Sequence, residues 1–138
     1  LRQGTASRLF GAVGLGLSDY LSGNETDLSS LLFQPSEFPT LDVLPVGDIP
    51  SNPSELLASP MFEELIASQR SNYDVILIDS PESEDLADAE IIEEHADVTL
   101  FVIRAGKTER QVLGELELAQ EKGKYTHLAL VLNEIEEC

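Results

Sequence analysis

The stretch Tyr73-Asp74-Val75-Ile76-Leu77-Ile78-Asp79-Ser80-Pro81-Glu82-Ser83-Glu84-Asp85-Leu86-Ala87-Asp88 decides how this chain folds. Val75 to Ile78, closed by Asp79, is too short for a helix and too uniformly apolar for a strand with one wet side. It reads as a strand buried on both faces, the kind found in parallel sheets. Ser80-Pro81 then forces a turn, which leaves Asp79 at the carboxyl edge of the sheet, where open α/β folds bind their ligands. A carboxylate there suits the water shell of Mg²⁺ beside a nucleotide phosphate. The same residue also reads as a strand-end Asp capping the helix that follows, and the run alone does not separate the two.

Outward from this stretch, the pattern repeats. Thr40 to Val46 reads as a strand stopped by Gly47, and Pro50, Asn52 and Pro53 mark a rigid connection. Ser54 or Asn52 is placed to cap a helix with Leu56, Leu57, Met61, Leu65 and Ile66 at helical spacing. Pro60 must kink that helix or split it. Leu86 to His95 is the next predicted helix, Asp97 to Arg104 the next buried strand, and Glu109 to Glu121 a helix with Val112, Leu113, Leu116 and Ala119 inward. Gly123 ends it, and Leu128 to Leu132 is the last strand. Strands alternating with helices predict an α/β fold, a mostly parallel sheet flanked by helices on both faces. On the amino-terminal side, Leu17 to Leu21 is a short helix stopped near Gly23, and Thr26 to Ser29 opens another turn of helix.

At 138 residues the chain is one domain of ordinary size. Its 42% hydrophobic and 25% charged residues are globular values, so disorder is not the expectation. The net charge of −18 repels phosphate backbones and anionic lipid heads, which argues against nucleic acid or a bare membrane surface as partner. It disfavours a nucleotide too, unless Mg²⁺ and positive groups offset it. The single cysteine, Cys138, forms no internal disulfide, and two distant histidines build no Cys/His metal cluster. That usage fits a reducing cytoplasm. No apolar run approaches the ~18 residues of a membrane span, and Leu1 to Phe10 is not a signal peptide. This abrupt opening, with Arg2 and Arg8 and no preceding strand, looks cut from something longer.

Three motifs bear on chemistry. Gly11-x-x-Gly14-x-Gly16 lacks the preceding strand that a dinucleotide fingerprint requires and reads as a loop. Gly106-Lys107-Thr108 resembles the end of a phosphate-binding P-loop, but that motif needs glycine at position 101, which is Phe inside a strand. The residues Arg104, Lys107 and Thr108 instead form either part of a ligand-edge loop or a plain solvated loop entering a helix. Glu82, Glu84, Asp85 and Asp88 could ligate a hard cation, though not at calcium-loop spacing, and a helix dipole also explains acids at its amino terminus. Asn133, just past the last strand, carries a carboxamide able to pair with a purine base, or simply forms a turn.

The ordered segments Gly16-Leu17-Ser18-Asp19-Tyr20-Leu21-Ser22-Gly23, Leu41-Asp42-Val43-Leu44-Pro45-Val46-Gly47, Pro50-Ser51-Asn52-Pro53-Ser54-Glu55-Leu56-Leu57, Tyr73 to Pro81, Ala87-Asp88-Ala89, Arg104 to Thr108 and Val131-Leu132-Asn133 resemble the bacterial tyrosine kinases of capsular and exopolysaccharide assembly. These are P-loop ATPases related to the partition and division-site ATPases. The resemblance covers nearly the whole chain, which it identifies as the carboxyl-terminal portion of such a domain, residues 1–138. It implies a three-layer P-loop fold, ATP and Mg²⁺ as cofactors, Asp79 as the Walker B aspartate that organises Mg²⁺, and Asn133 beside the adenine, with Arg104 as a further cofactor-binding candidate. It makes Leu1-Arg2 the tail of the Walker A′ strand.

The departures are equally specific. The Walker A loop, the Walker A′ aspartates and the carboxyl-terminal tyrosine cluster have no counterpart here, and Glu82 stands where the family usually has a second proline. The expectation is therefore a fragment, inactive by itself, with no catalytic residue of its own. In full length it would act in the cytoplasm, at an inner-membrane protein, with neighbouring kinase subunits and the cytoplasmic end of a polysaccharide co-polymerase as partners and homo-oligomerisation implied. Two other readings stay open: a non-catalytic interaction module with a degenerate ATPase fold, and a partition-type ATPase. In the family's fold the Walker A strand lies between the Asp79 strand and the Val98 to Ile103 strand. Because bare strand edges invite aggregation, the expectation is that these two strands pair directly or that another chain fills the slot.

Overall fold

The computed structural model describes residues 5–80 and 86–135. The chain divides into two compact units, Leu1–Ile91 and Ile92–Cys138. The first holds α1 (Thr5–Leu9), α2 (Leu17–Leu21), α3 (Leu28–Leu31), α4 (Pro53–Leu57), α5 (Pro60–Gln69) and most of α6 (Leu86–Glu93). The second holds β1 (Thr99–Arg104), α7 (Arg110–Glu121) and β2 (Leu128–Asn133). Among the described residues no helix is long and apolar enough to cross a membrane.

In the first unit, Asp27 starts α3 by accepting from the Ser29 backbone N–H at 3.0 Å, as a helix N-cap does. Pro60 lacks the N–H that would continue α4, so the predicted long helix is split in two. The break also resets the helical phase. Phe62 and Leu65 turn inward beside Leu57, whereas Met61, expected in the core, is partly exposed. Neither expected cap is made by its side chain. The Asn52 amide donates to Glu55 Oε2 at 2.9 Å, and the Ser54 hydroxyl is committed to Asp88. The core of this unit is Ala12, Leu21, Leu31, Leu57, Phe62 and Leu65.

A tight backbone crossing closes the unit at α2. The N–H groups of Leu17 and Ser18 donate to the carbonyls of Pro45 and Val46 at 2.8 and 3.0 Å. Asp19 is buried and accepts from the Gly16 N–H at 2.9 Å. A Cβ on Gly16 would run into the Pro45 carbonyl, and one on Gly47 into Asp19 and Ser18. Gly47 also has φ +77°, a conformation that side chains resist.

This crossing explains one correction. Thr40 to Val46 is not a strand but a single antiparallel bridge between Phe33 and Val43, because Pro45 has no N–H for a ladder and its carbonyl serves α2. Val75 to Ile78 runs without helix or strand pairing, and Val75 and Leu77 are 70% and 82% exposed instead of buried. A strand is defined by its neighbours, and among the described residues none bonds to it. Glu82, Glu84, Asp85, Leu1-Arg2 and Cys138 lie outside the described residues. Asp88, on α6, is 1% exposed.

In the second unit β1 and β2 form a parallel pair in the register Thr99↔Leu128 through Arg104↔Asn133, with α7 as the crossover. A parallel pair needs such a crossover, as the alternation of patterns predicts. Gly123, at φ +69°, ends α7, whose Leu116 is buried while Leu113, expected inward, is partly exposed. The β1 strand is not buried on both faces as expected. Thr99, Phe101 and Ile103 are half-buried, but Leu100 and Val102 are 57% and 52% exposed, the alternation of a sheet covered on one side. The sheet is two-stranded among the described residues, in the order β1–β2.

Candidate functional site

The register of β1 and β2 brings two of the predicted site residues together. Arg104 and Asn133 are partners at the carboxyl end of the parallel pair, the edge at which α/β sheets bind ligands. The Ala105 N–H donates to the Asn133 carbonyl at 2.8 Å and closes the ladder. Gly106, at φ +71°, then turns the chain back so that the N–H groups of Lys107 and Thr108 donate to the Arg104 carbonyl at 3.1 and 2.9 Å. The Arg104 N–H in turn donates to Thr108 Oγ1 at 2.9 Å. Gly106-Lys107-Thr108 is thus a turn folded back on its own strand, with the Lys107 and Thr108 amides committed to Arg104.

Glu134 completes the edge, and sequence reasoning missed it. Its N–H donates to Asn133 Oδ1 at 2.9 Å, and this bond accompanies a backbone φ of +56°, unusual for a residue with a side chain. Its carboxylate lies 2.7 Å from Lys107 Nζ and 3.9 Å from Arg104 Nε. Both cations are more than half exposed, so these ion pairs contribute little to stability. They instead hold two positive side chains beside Asn133. With its oxygen accepting from Glu134, the Asn133 carboxamide keeps an NH₂ group, a donor type suited to a ring nitrogen or carbonyl. No pattern in the sequence announces Glu134, because its role depends on a left-handed backbone set by the preceding side chain.

Asp79, the third predicted residue, belongs to the first unit and is exposed at the end of the Val75 to Ile78 segment. Its carboxylate fits one outer ligand of Mg²⁺, an ion that keeps most of its waters and takes one or two protein carboxylates. Among the described residues no group of three His, Cys, Asp or Glu side chains gathers to hold a metal.

Comparison with known proteins gives this geometry a context. No protein-family model matches the chain. The tyrosine-protein kinase CpsD of Streptococcus agalactiae serotype III is 33% identical over 138 residues, 99% of this chain and 59% of that protein. The tyrosine-protein kinase wzc of Salmonella typhimurium is 42% identical over 105 residues, 75% of this chain and 14% of that protein. The solved kinase domain of the Escherichia coli tyrosine kinase ETK is 27% identical and superposes with a TM-score of 0.85, over 99% of this chain and 53% of its own.

The chain belongs to the bacterial tyrosine-kinase domains.

Its fold is that of these domains, helices with a parallel sheet in the P-loop ATPase manner, as the sequence predicts. The chain spans just over half the length of the streptococcal kinase and of the solved ETK domain.

Proposed function

We propose that this chain is the carboxyl-terminal portion of a kinase domain which, in the whole protein, transfers the γ-phosphoryl group of ATP to protein tyrosine during capsular or exopolysaccharide assembly. The observation that carries the proposal is the pairing of Arg104 with Asn133 at the ligand edge of a parallel pair, in a chain alike over its full length to a tyrosine kinase. In this reading the Asn133 NH₂ group donates to the adenine ring, and Arg104 and Lys107 line the approach with positive charge. Asp79 holds the water shell of Mg²⁺, and that ion, when bound with nucleotide, neutralises charge building on the phosphates. The Lys107 and Thr108 amides turn onto the Arg104 carbonyl and the Ala105 amide onto Asn133, so in this reading the triphosphate cradle comes from elsewhere in the whole protein. The chain alone is then a poor ATP binder and no kinase.

The same reading places the domain in the cytoplasm beside an inner-membrane polysaccharide co-polymerase, with other kinase subunits as partners and no nucleic acid. The charge of −18 supports that last point.

Calorimetry with Mg-ATP tests the proposal on the 138-residue chain and on the same chain joined to its encoded upstream sequence. Binding weaker than about 1 mM is expected for the first, and binding in the range of roughly 1–100 μM for the second. In the longer protein, Asn133→Ala and Asp79→Ala each lower affinity by roughly tenfold or more. Phosphotyrosine should appear on incubation with ATP. ATP hydrolysis without phosphotyrosine would instead assign a partition-type ATPase.

A further inference from the structure

A cleft of about 370 Å³ opens in the first unit between α3 and the end of α5. Its size suits one small organic group and is at the low end for ligand sites. Leu28 and Leu32 supply an apolar wall, and none of the lining residues is cationic. Three lining side chains are hydrogen-bond acceptors. The Asp42 carboxylate only accepts, the Tyr73 hydroxyl spends its proton on Asp42 Oδ2 at 2.7 Å, and the Ser29 hydroxyl spends its own on Asp27 Oδ1 at 2.6 Å. Both hydroxyls therefore keep only lone pairs for a further partner. Among the described residues Asp42 has two partners, Tyr73 and the Gln34 amide at 3.2 Å, and both are neutral. A carboxylate offers roughly four lone-pair positions, so Asp42 retains room for a cation.

Such a lining selects a ligand that is cationic, rich in N–H donors and carried on an apolar stem. Tyr73 Oη and Asp42 Oδ2 are two acceptors 2.7 Å apart, a side-by-side pair that matches the parallel N–H groups of a guanidinium fork. An ammonium is a compact, more strongly hydrated charge, and stripping its water beside the half-buried Asp42 and Tyr73 costs more. We propose that this cleft binds a guanidinium group on a short alkyl chain, with the fork on Asp42 and Tyr73 and the methylenes against Leu28 and Leu32. That chemistry is shared by an arginine side chain of another polypeptide and by a free alkylguanidine. The charge of −18 raises the local concentration of either. Asp79, Arg104 and Asn133 take no part, so the proposal does not depend on the nucleotide reading.

Backbone amide resonances of the chain, followed by NMR during titration with n-butylguanidinium chloride, test it. Saturable shifts are expected at residues 28–32, 42 and 69–73, with a Kd of about 1 mM. n-Butylammonium should bind roughly fivefold or more weakly. Shifts that do not saturate by about 20 mM, or that sodium chloride reproduces, would mean an adventitious ion only and overturn the proposal. Equal affinity for the two organic cations overturns the choice of guanidinium. Asp42→Asn should weaken binding by roughly tenfold or more. Since Tyr73 is bonded to Asp42, a second variant guards against loss of fold: Asn72→Lys changes an exposed lining residue and adds a competing cation at the cleft. It too should weaken binding, by roughly tenfold. Wild-type affinity in either variant, with the fold shown intact by circular dichroism, refutes the site. The peptide acetyl-Gly-Gly-Arg-Gly-Gly-amide separates the two sources. Affinity at least equal to that of n-butylguanidinium supports a partner's arginine as the occupant, and a peptide that leaves the same resonances unmoved while n-butylguanidinium shifts them supports a free alkylguanidine.

Discussion

The hydroxyl of Ser54, in the first turn of α4, donates to the carboxylate of Asp88 on α6, 34 residues away and almost wholly buried. This bond ties the Asn52-Pro53-Ser54-Glu55-Leu56-Leu57 segment to α6. Ser54 is not a helix cap, because α4 begins at Pro53 and the N-cap position is Asn52. A buried carboxylate stripped of a donor is costly. Ser54→Ala should therefore lower unfolding free energy by about 1–3 kcal/mol, more than a surface serine would. Urea denaturation followed by circular dichroism measures it, and a loss below about 0.5 kcal/mol would mean that Asp88 does not depend on this donor.

Gly47 and Gly23 both have left-handed backbones, at φ +77° and +74°, but only Gly47 lies against another segment. An alanine at Gly23 meets open space and should cost about 1 kcal/mol through backbone strain alone. At Gly47 the new methyl group strikes Asp19 and Ser18, so strain and displacement of a buried carboxylate add, and the expected loss is about 2–4 kcal/mol. Equal midpoints for the two variants in one denaturation series would refute the crossing as a stability element.

Tyr73 donates its hydroxyl to Asp42 Oδ2 at 2.7 Å. This bond, with desolvation and the carboxylate charge adding, holds the phenol above its ordinary value of 10.0. A raised value in the folded state means that the stabilisation is full below the ordinary value and is lost as pH climbs through the raised one. Tyr73→Phe should cost about 0.5–1.5 kcal/mol at neutral pH. The gap between variant and wild type should close only in strongly alkaline solution. A gap already closed at pH 8 would show that the bond is not formed.

At the start of α3, the hydroxyl and then the backbone N–H of Ser29 hold the Asp27 carboxylate below its ordinary value of 3.8. Its contribution is accordingly present above that value and disappears as pH falls through the lowered one. Carboxyl chemical shifts followed against pH should show the Asp27 midpoint moving up toward its ordinary value in Ser29→Ala. An unmoved midpoint would show that the hydroxyl is not its partner.

Local patterns carried much of this fold. Pro60 dividing a helix, Gly23 and Gly123 ending theirs, and the alternation that places α7 between two parallel strands are all short-range effects, written within a few residues of where they act. The edge that joins Arg104 to Asn133 was legible for the same reason, because each residue ends a strand. What the pattern could not carry is whatever depends on a neighbour distant along the chain. An apolar run such as Val75 to Ile78 states a preference for burial, but whether it is a strand depends on a second backbone to receive its N–H and C=O groups. Thr40 to Val46 failed as a strand because the Pro45 and Val46 carbonyls were taken by α2, and Ser54, one residue inside α4, donates its hydroxyl to Asp88, 34 residues away, instead of capping the helix. Glu134 joined the site through a left-handed turn that no spacing encodes. Propensity is local and additive along a segment, whereas hydrogen-bond partners are shared between distant segments and settled only when the chain has closed on itself.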